Sequence, residues 1–170
     1  SPEPALDIHV DGGSRGNPGP AAWGWVLYGP DGEEVARDCG NIGTATNNVA
    51  EYRGLIAGLE EARRLGADEV AVSADSKLII EQMSGRWQIK HPDMRTLAKR
   101  ARAVFPTGQV TYTWVPRERN KLADALVNEM IDGALLQGAS RIARIDGVPS
   151  EDVLAEDVVG PDGATVTTAG

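Results

Sequence analysis

The hydrophobic pattern changes period partway along the chain, and this change constrains the fold more than any other feature. Residues 6–11 alternate apolar and polar, and residues 21–29 and 33–41 form two further strand-like runs joined by short connections rich in glycine and proline. Residues 48–65 instead repeat apolar side chains every three or four positions, which is typical of one helical face. The pattern therefore predicts an antiparallel meander of three strands, followed by a helix that stops at Gly66.

Helices and strands alternate in the remainder of the chain up to residue 137. The pattern predicts strands over 69–75 and 109–116, and helices over 76–85, 92–105 and 121–136. Two strands joined by a helical crossover usually run parallel. We therefore predict an α/β fold with a five-stranded mixed sheet, three strands antiparallel and two parallel, and with helices on both faces.

Periodicity is lost after residue 137, and the charge there becomes acidic. Residues 138–170 hold six acidic and two basic side chains and are predicted to form an acidic linker or flexible tail. The first 137 residues, predicted to form one folded domain, hold 19 acidic and 15 basic side chains. The net charge of −8 predicts weaker binding to a polyanion than a strongly basic protein would show, but it does not exclude a local basic groove.

The chain has no run of about 20 apolar residues that would span a membrane, and no signal peptide at its start. Cys39 is the single cysteine, which excludes internal disulfides and cysteine-based zinc sites. We therefore expect a cytoplasmic protein.

Four acidic residues are placed where they could converge. Asp11 and Asp75 each follow a predicted strand, and these strands are expected to be parallel neighbours, while Glu51 and Asp124 lie in the first turns of two helices. Such a cluster would repel itself and raise some of its pKa values unless divalent cations neutralised it. Ligands that are all oxygen suit Mg²⁺ or Mn²⁺ rather than zinc. Two such ions can activate a water and stabilise the leaving oxygen of a phosphodiester.

Each of these acids also has an ordinary structural explanation. Asp75 stands where a helix N-cap would be, Glu51 and Asp124 are acids favoured near helix N-termini, and Asp11 precedes Gly-Gly as a turn residue would. The glycine-rich loop at 12–20 is more typical of a hairpin turn than of a phosphate cradle. Spacing alone leaves both interpretations open.

Four segments of the chain resemble, in order, the signature blocks of the type 1 ribonuclease H family: DGGSRGNPGPAAWG, TNNVAEYRGLIAGLE, ADSK and WVPRERNKLADALVN. The resemblance spans about residues 6–136 and is to the actinobacterial and archaeal branch. That branch includes ribonuclease H domains fused to an acid-phosphatase-like domain. It implies that residues 1–137 are the catalytic domain, that 138–170 begin a linker, and that a fused C-terminal domain follows in the natural protein.

The resemblance implies a metal-dependent endonuclease that hydrolyses the RNA strand of RNA–DNA hybrids with two Mg²⁺ ions, or Mn²⁺ as a substitute, leaving 3′-hydroxyl and 5′-phosphate ends. Asp11, Glu51, Asp75 and Asp124 would be the catalytic metal ligands. Hybrid recognition needs groups that contact 2′-hydroxyls across the minor groove. The implied substrate-binding residues are Gly12, Gly13, Ser14, Asn17, Thr46, Asn47 and Asn48. Thr46 would hold a DNA phosphate, and Asn47 has a second interpretation as a helix cap.

Two departures from the family pattern affect the edge of the site. The loop before the last acid lacks the histidine that many members carry, and Arg117 matches an arginine of the archaeal-like branch; it is a catalytic candidate or simply a solvated side chain. The basic handle of many bacterial members is also absent. A reduced DNA-strand contact would come from Lys77, Arg86, Trp87, Lys90 and His91. Trp87 is the substrate-binding candidate among them, although a core position is the commoner role for tryptophan.

The other chemically notable side chains are predicted to be structural. Trp23, Trp25 and Trp114 lie in predicted strands, His9 is expected to pack within a strand, Cys39 to act as a small hydrophobe, and His91 is given no chemistry.

Three alternatives to a hybrid-cleaving monomer remain. A non-catalytic nucleic-acid-binding module on the same fold would tend to lose one or more acids, whereas all four are present. An integrase-like polynucleotide transferase would have three acids and different surrounding blocks. Cleavage of double-stranded RNA in addition to hybrids is left open.

Overall fold

A computed structural model of the chain describes residues 5–133. The expected tail at 138–170 lies outside the described residues. The secondary structure elements, in chain order, are β1 (Ala5–Ser14), β2 (Gly19–Tyr28), β3 (Glu34–Ala45), α1 (Asn47–Arg64), β4 (Glu69–Ala74), α2 (Lys77–Met83), α3 (Pro92–Ala103), β5 (Val110–Trp114), a short 3-10 helix (Arg117–Arg119) and α4 (Lys121–Ile131). None of the helices within this part of the chain is long and apolar enough to cross a membrane.

The strands form one mixed sheet in the order β3-β2-β1-β4-β5. The first three strands pair antiparallel, whereas β4 pairs parallel with both β1 and β5. This confirms the predicted fold class, including the parallel pairing of the first and fourth strands. The short turns allow only antiparallel neighbours, and the helical crossover α1 returns the chain to run parallel to β1.

Helices cover both faces of the sheet, as predicted. On one face α1 packs against β1 and β2, with α3 beside it, around a large apolar core that includes Trp23, Trp25 and Leu55. On the other face α4 covers β1, β2 and β3 around a smaller cluster that includes Val26 and Leu126. Alternate residues of β2 supply the two clusters, as the pleat of a strand requires.

Two element boundaries differ from the prediction in ways that affect the site. The first strand was expected to end at Asp11, but β1 continues to Ser14 because residues 11–14 keep their pairing with β2. Its pairing with β4 stops at Val10, opposite Ala74. The last helix was expected to reach residue 136, but it ends at Ile131, and the chain leaves helical geometry at Gly133, where φ is +76°.

The structure separates the tryptophans into two pairs. Trp23 and Trp25 are each only 2% exposed, which confirms their structural role. Trp114 lies in a strand, as predicted, but it is 48% exposed and so is not part of the core. It is the last residue of the edge strand β5, whereas Val110 and Tyr112 on the same side of that strand pack against the larger core. Trp87 is 45% exposed, which excludes the core position considered for it.

The remaining minor predictions are confirmed. Cys39 is buried in the smaller cluster. His9 packs edge-on against Tyr28, with 4.9 Å between ring centroids, and burial lowers its pKa.

Candidate active site

The ends of the two central parallel strands place Asp11 and Asp75 side by side. Their pairing ends at Val10 opposite Ala74, and each aspartate is the next residue along its own strand. Asp11 lies within β1 and is buried, with its neighbours still paired to β2. The turn interpretation of Asp11 is therefore wrong, because its backbone belongs to the sheet.

Glu51 reaches the same place because α1 approaches β1 unusually closely. A Cβ atom added at Gly12 would lie 2.4 Å from both the Ala50 carbonyl carbon and the Glu51 backbone nitrogen. A Cβ at Gly54 would lie 2.9 Å from the Asp11 carbonyl oxygen. Glycine at both positions lets the two backbones touch, which brings the first turn of α1 to the end of the central strands.

Asp124 completes the group from the opposite face of the sheet. It lies in the first turn of α4 and shares a side-chain hydrogen bond with Asp11. The guanidinium of Arg117 donates to it, with 3.2 Å between Arg117 Nη2 and Asp124 Oδ1. The four acids and Arg117 line one cavity of about 360 Å³, together with Gly12, Gly13 and Ser14.

The electrostatics of the cavity strongly disfavour negative charge when no cation is present. Burial, the charge of Asp75 and the hydrogen bond to Asp124 raise the pKa of Asp11 to about 9. Burial raises the pKa of Glu51 to about 7; the charge of Asp75 adds to the shift and a hydrogen bond to Ser76 opposes it. Carboxylates forced together in this way are typical of sites that act on a substrate or bind a cation.

The capping explanations of the site residues do not hold. Ser76, not Asp75, caps α2, because its hydroxyl accepts the Ile79 N–H at 3.3 Å. Thr46, not Asn47, caps α1 by accepting the Val49 N–H at 3.3 Å. Asp75 and Asn47 are thus left for other contacts, whereas the Thr46 hydroxyl already has an acceptor role within the protein.

The loop between β1 and β2 is tied to the start of α1 by the expected substrate-binding residues. The side-chain oxygen of Asn47 accepts the Ser14 N–H at 2.8 Å and the Ser14 hydroxyl at 3.0 Å. The side-chain oxygen of Asn17 accepts the Asn47 N–H at 3.0 Å. Asn47 lines the cavity that contains the four acids, whereas Asn17 and Thr46 do not. Asn48 follows Asn47 on the first turn of α1.

The residues of the expected reduced handle run from Lys77, the first residue of α2, to His91, which precedes α3. Trp87 is exposed there, but Arg86 is already paired with Glu81, with 3.0 Å between Nη2 and Oε1. His91 caps α3 by accepting the Asp93 N–H at its Nδ1, a structural role that agrees with giving it no chemistry. The positive charge available for a DNA strand here is therefore smaller than the residue types suggest.

The contacts of four side chains near the four acids were not predicted from the sequence. Asn120 is 1% exposed and donates to the Val10 carbonyl at 2.8 Å and to Asp75 Oδ1 at 3.4 Å. The Trp114 indole N–H donates to the Asp75 carbonyl at 3.2 Å. Arg15 and Asn128 form a network that reaches Asp124. Asn120 and Asn128 stand four residues before and after Asp124, a helical spacing that would have signalled them.

The chain is similar to known proteins over most of its length. A family model described as reverse transcriptase-like matches residues 9–130. The bifunctional protein Rv2228c of Mycobacterium tuberculosis is 49% identical over 156 residues, which are 91% of this chain and 42% of that protein. The chain thus spans less than half the length of its mycobacterial relatives. The ribonuclease H of Acidithiobacillus ferrooxidans is 32% identical over 158 residues, 82% of this chain and 96% of that protein.

Solved structures show the same likeness. The N-terminal RNase H domain of Rv2228c is 53% identical with a TM-score of 0.74, and the match covers 78% of this chain and 96% of that one. LC11-RNase H1, solved in complex with an RNA/DNA hybrid, is 39% identical with a TM-score of 0.72, over 76% of this chain and 98% of that one. The extent of these matches in sequence and in fold shows that the chain belongs to the ribonuclease H family.

Proposed function

We propose that this chain is an endonuclease that hydrolyses the RNA strand of RNA–DNA hybrids with two divalent metal ions, Mg²⁺ or in its place Mn²⁺. The observation that carries the proposal is the convergence of four carboxylates from β1, α1, the end of β4 and α4 on one cavity. The family membership and the hybrid bound to LC11-RNase H1 support the choice of substrate. The products would carry 3′-hydroxyl and 5′-phosphate ends.

The donor set fits magnesium in its chemistry. The carboxylates of Asp11, Glu51, Asp75 and Asp124 would hold the ions, and oxygen ligands are the ones that hard divalent cations prefer. Within residues 5–133, no three acidic, histidine or cysteine side chains already stand in an arrangement that would hold an ion. Asp124 contacts Asp11 and Arg117. Loss of the Asp11 proton would accompany metal binding.

Bound divalent ions would supply an activated water and charge stabilisation at the phosphodiester. The other roles at the site would belong to the protein's own side chains. Burial raises the pKa values of Asp11 and Glu51, so a bound cation would favour the charged forms that the cavity itself disfavours. Arg117, whose side chain is 73% exposed, is the cationic group nearest Asp124 and would take the place of the loop histidine that many family members have.

Substrate binding is proposed for the residues that border the cavity. Gly12, Gly13 and Ser14 line it directly, and Asn47 holds Ser14 in place. Asn17, Thr46 and Asn48 lie along the adjoining loop and first turn of α1 and would extend the contact along the minor groove. Trp87 is exposed and would stack on or line the DNA strand.

One experiment tests the activity and the metal requirement together. Labelled RNA–DNA hybrid, double-stranded RNA and double-stranded DNA are incubated with the chain in Mg²⁺, in Mn²⁺ or in EDTA. We expect cleavage of the hybrid RNA strand in both metals and none in EDTA. An Asp75→Asn variant should lose at least about a hundredfold in rate, because it removes one ligand charge from the metal site.

Hybrid cleavage that persists in EDTA, or an Asp75→Asn variant as active as the wild type, would contradict the two-metal proposal. Binding of the hybrid without cleavage in either metal would indicate the non-catalytic alternative. Cleavage of double-stranded RNA would broaden the substrate class. The cytoplasmic location, the monomeric state, the tail at 138–170 and the fused domain stay predictions.

A further inference from the structure

Both carboxylate oxygens of Asp124 are held by protein donors. Arg117 Nη2 donates to Oδ1 at 3.2 Å, and Asn128 Nδ2 donates to Oδ2 at 3.3 Å. Asn128 lies one helical turn beyond Asp124 on α4, so the two side chains project from the same face. The rotamer of Asp124 is therefore set from two sides, by a charged group in the preceding loop and by a neutral amide on its own helix.

The orientation of the Asn128 amide is set in turn by Arg15. Arg15 Nη2 lies 3.1 Å from Asn128 Oδ1. A guanidinium can only donate, so the oxygen of the amide must face Arg15 and the NH₂ group must face Asp124. The Asp124 carboxylate accepts from the NH₂ group and favours the same orientation, so Arg15 and Asp124 fix the amide from its two ends.

Arg15 is itself anchored at both ends. Its Nη1 donates to Asp132 Oδ1 at 2.6 Å, beyond the last turn of α4, and its backbone N–H donates to the Pro20 carbonyl at 2.9 Å. It directly follows Ser14, which Asn47 holds. The contacts thus run from the proposed substrate-binding loop through Arg15 and Asn128 to Asp124.

A purely stabilising role does not account well for this arrangement. The side chains of Arg15 and Asp132 are 48% and 53% exposed, and an ion pair in that environment contributes at most about 1 kcal/mol to stability. The contacts to Asn128 and Asp124 instead lie along the wall of the cavity. Their geometric consequence is the direction in which Asp124 points.

We propose that Asn128, oriented by Arg15, is a positioning residue that aims the Asp124 carboxylate into the metal site. This inference rests on the proposed function. Groups that orient metal ligands typically change metal affinity or activity by about 10- to 100-fold when removed. Asn128 would act without touching the substrate, and Arg15 would act only through Asn128.

The test measures metal binding and catalysis separately. Asn128→Leu keeps the size of the side chain and removes both hydrogen bonds, whereas Glu129→Gln changes the neighbouring exposed position of the same helix and serves as control. Mn²⁺ binding to each protein without substrate is followed by calorimetry, and kcat and KM are measured with a hybrid. We expect Asn128→Leu to weaken Mn²⁺ binding and lower kcat about tenfold, with KM for the hybrid changed less than twofold.

A double mutant separates positioning from general stability. Arg15→Ala should weaken Mn²⁺ binding by a smaller factor, and adding it to Asn128→Leu should cause no further loss, because the two residues act in series. Mn²⁺ affinity and kcat of Asn128→Leu equal to those of Glu129→Gln would overturn the inference, as would a change confined to Tm. A wild-type chain that binds Mn²⁺ without cleaving hybrid would refute the proposed function, and the Mn²⁺ titration of the variants would still decide the role of Asn128.

Discussion

At the scale of single residues, the site holds carboxyl groups in surroundings that disfavour their charged form. Asp11 is buried beside three other acids, and burial together with the charge of Asp75 and the hydrogen bond to Asp124 keeps its pKa near 9. Glu51 is affected in the same direction, to about 7. A metal-free protein at neutral pH therefore retains protons that the unfolded chain would release, which links its stability to pH.

The first prediction concerns Asp11→Asn in the absence of metal. The folded pKa of Asp11 lies above its ordinary value of 3.8, so this group stabilises the fold at low pH and loses that contribution as the pH rises towards 9. The asparagine has no charge to develop. Thermal unfolding in EDTA should show the variant more stable than the wild type at pH 8, by at least about 1 kcal/mol, with little difference at pH 4.

The quantity to compare is the stability of the variant minus that of the wild type at each pH, because the other acids titrate in both proteins. Added Mg²⁺ should reverse the order at pH 8, since the wild type alone has the full ligand set. A variant-minus-wild-type difference that stays constant between pH 4 and pH 8 would count against the raised pKa of Asp11.

At the scale of elements, the position of α1 against β1 depends on the absence of a side chain at Gly12. Alanine there would place its Cβ 2.4 Å from backbone atoms of Ala50 and Glu51, which cannot move aside as a flexible side chain would. The next residue provides a contrast, because a Cβ at Gly13 would lie 3.6 Å from Val127 Cγ1, an ordinary contact. The structure thus has room for a Cβ atom at Gly13 but not at the adjacent Gly12.

We therefore predict that Gly12→Ala destabilises the protein by about 1–3 kcal/mol, the range typical of overpacked sites, whereas Gly13→Ala changes stability by less than about 1 kcal/mol. Urea unfolding of the two variants beside the wild type gives the comparison. Gly12→Ala should also weaken Mn²⁺ binding, because Glu51 moves with the start of α1. Equal stability of the two variants would disprove the close approach.

Prediction from sequence succeeded for elements whose pattern is local. The spacing of apolar residues along β1, α1 and β4 predicts each element from its own sequence. The short turns and the helical crossover then restrict the order and direction of the strands. It failed where burial depends on distant elements. Trp114 continues the apolar side of β5 formed by Val110 and Tyr112, which pack against the core, yet at the end of the strand it is 48% exposed. The spacing of Asn120 from Asp124 is local, but its burial follows from a contact with the Val10 carbonyl of the sheet, which the spacing does not predict.

At the scale of the whole molecule, the charge balance shapes the encounter with a polyanion. The chain carries a net charge of −8, and four acids line the cavity that would face the scissile phosphate. Near Trp87, the positive charge of Arg86 is matched by Glu81. Binding to nucleic acid depends on lysine and arginine side chains that replace counterions along the backbone. The pairing of Arg86 with Glu81 would therefore limit the proposed binding of a hybrid.

Glu81→Gln should strengthen hybrid binding by releasing Arg86. We expect KM for a hybrid to fall two- to fivefold at about 50 mM salt, with kcat unchanged, and the gain to shrink at about 200 mM as screening increases. Glu33→Gln removes the same charge in the exposed β2–β3 turn and should have no comparable effect. If the two variants lowered KM equally, net charge alone would explain the change, and a contact between Arg86 and the hybrid would be refuted.

Two tryptophans are buried and two are exposed, so the intrinsic fluorescence of the protein should have two components. Trp23 and Trp25 are shielded in the core and should emit at short wavelength, whereas Trp87 and Trp114 are about half exposed and should emit further to the red and be accessible to a soluble quencher. The indole of Trp114 is bonded to the Asp75 backbone, and Trp87 lies where the DNA strand is proposed to run. Occupancy of the site by metal or by hybrid can therefore be followed by the fluorescence of the unlabelled chain, with the two core indoles as an internal reference.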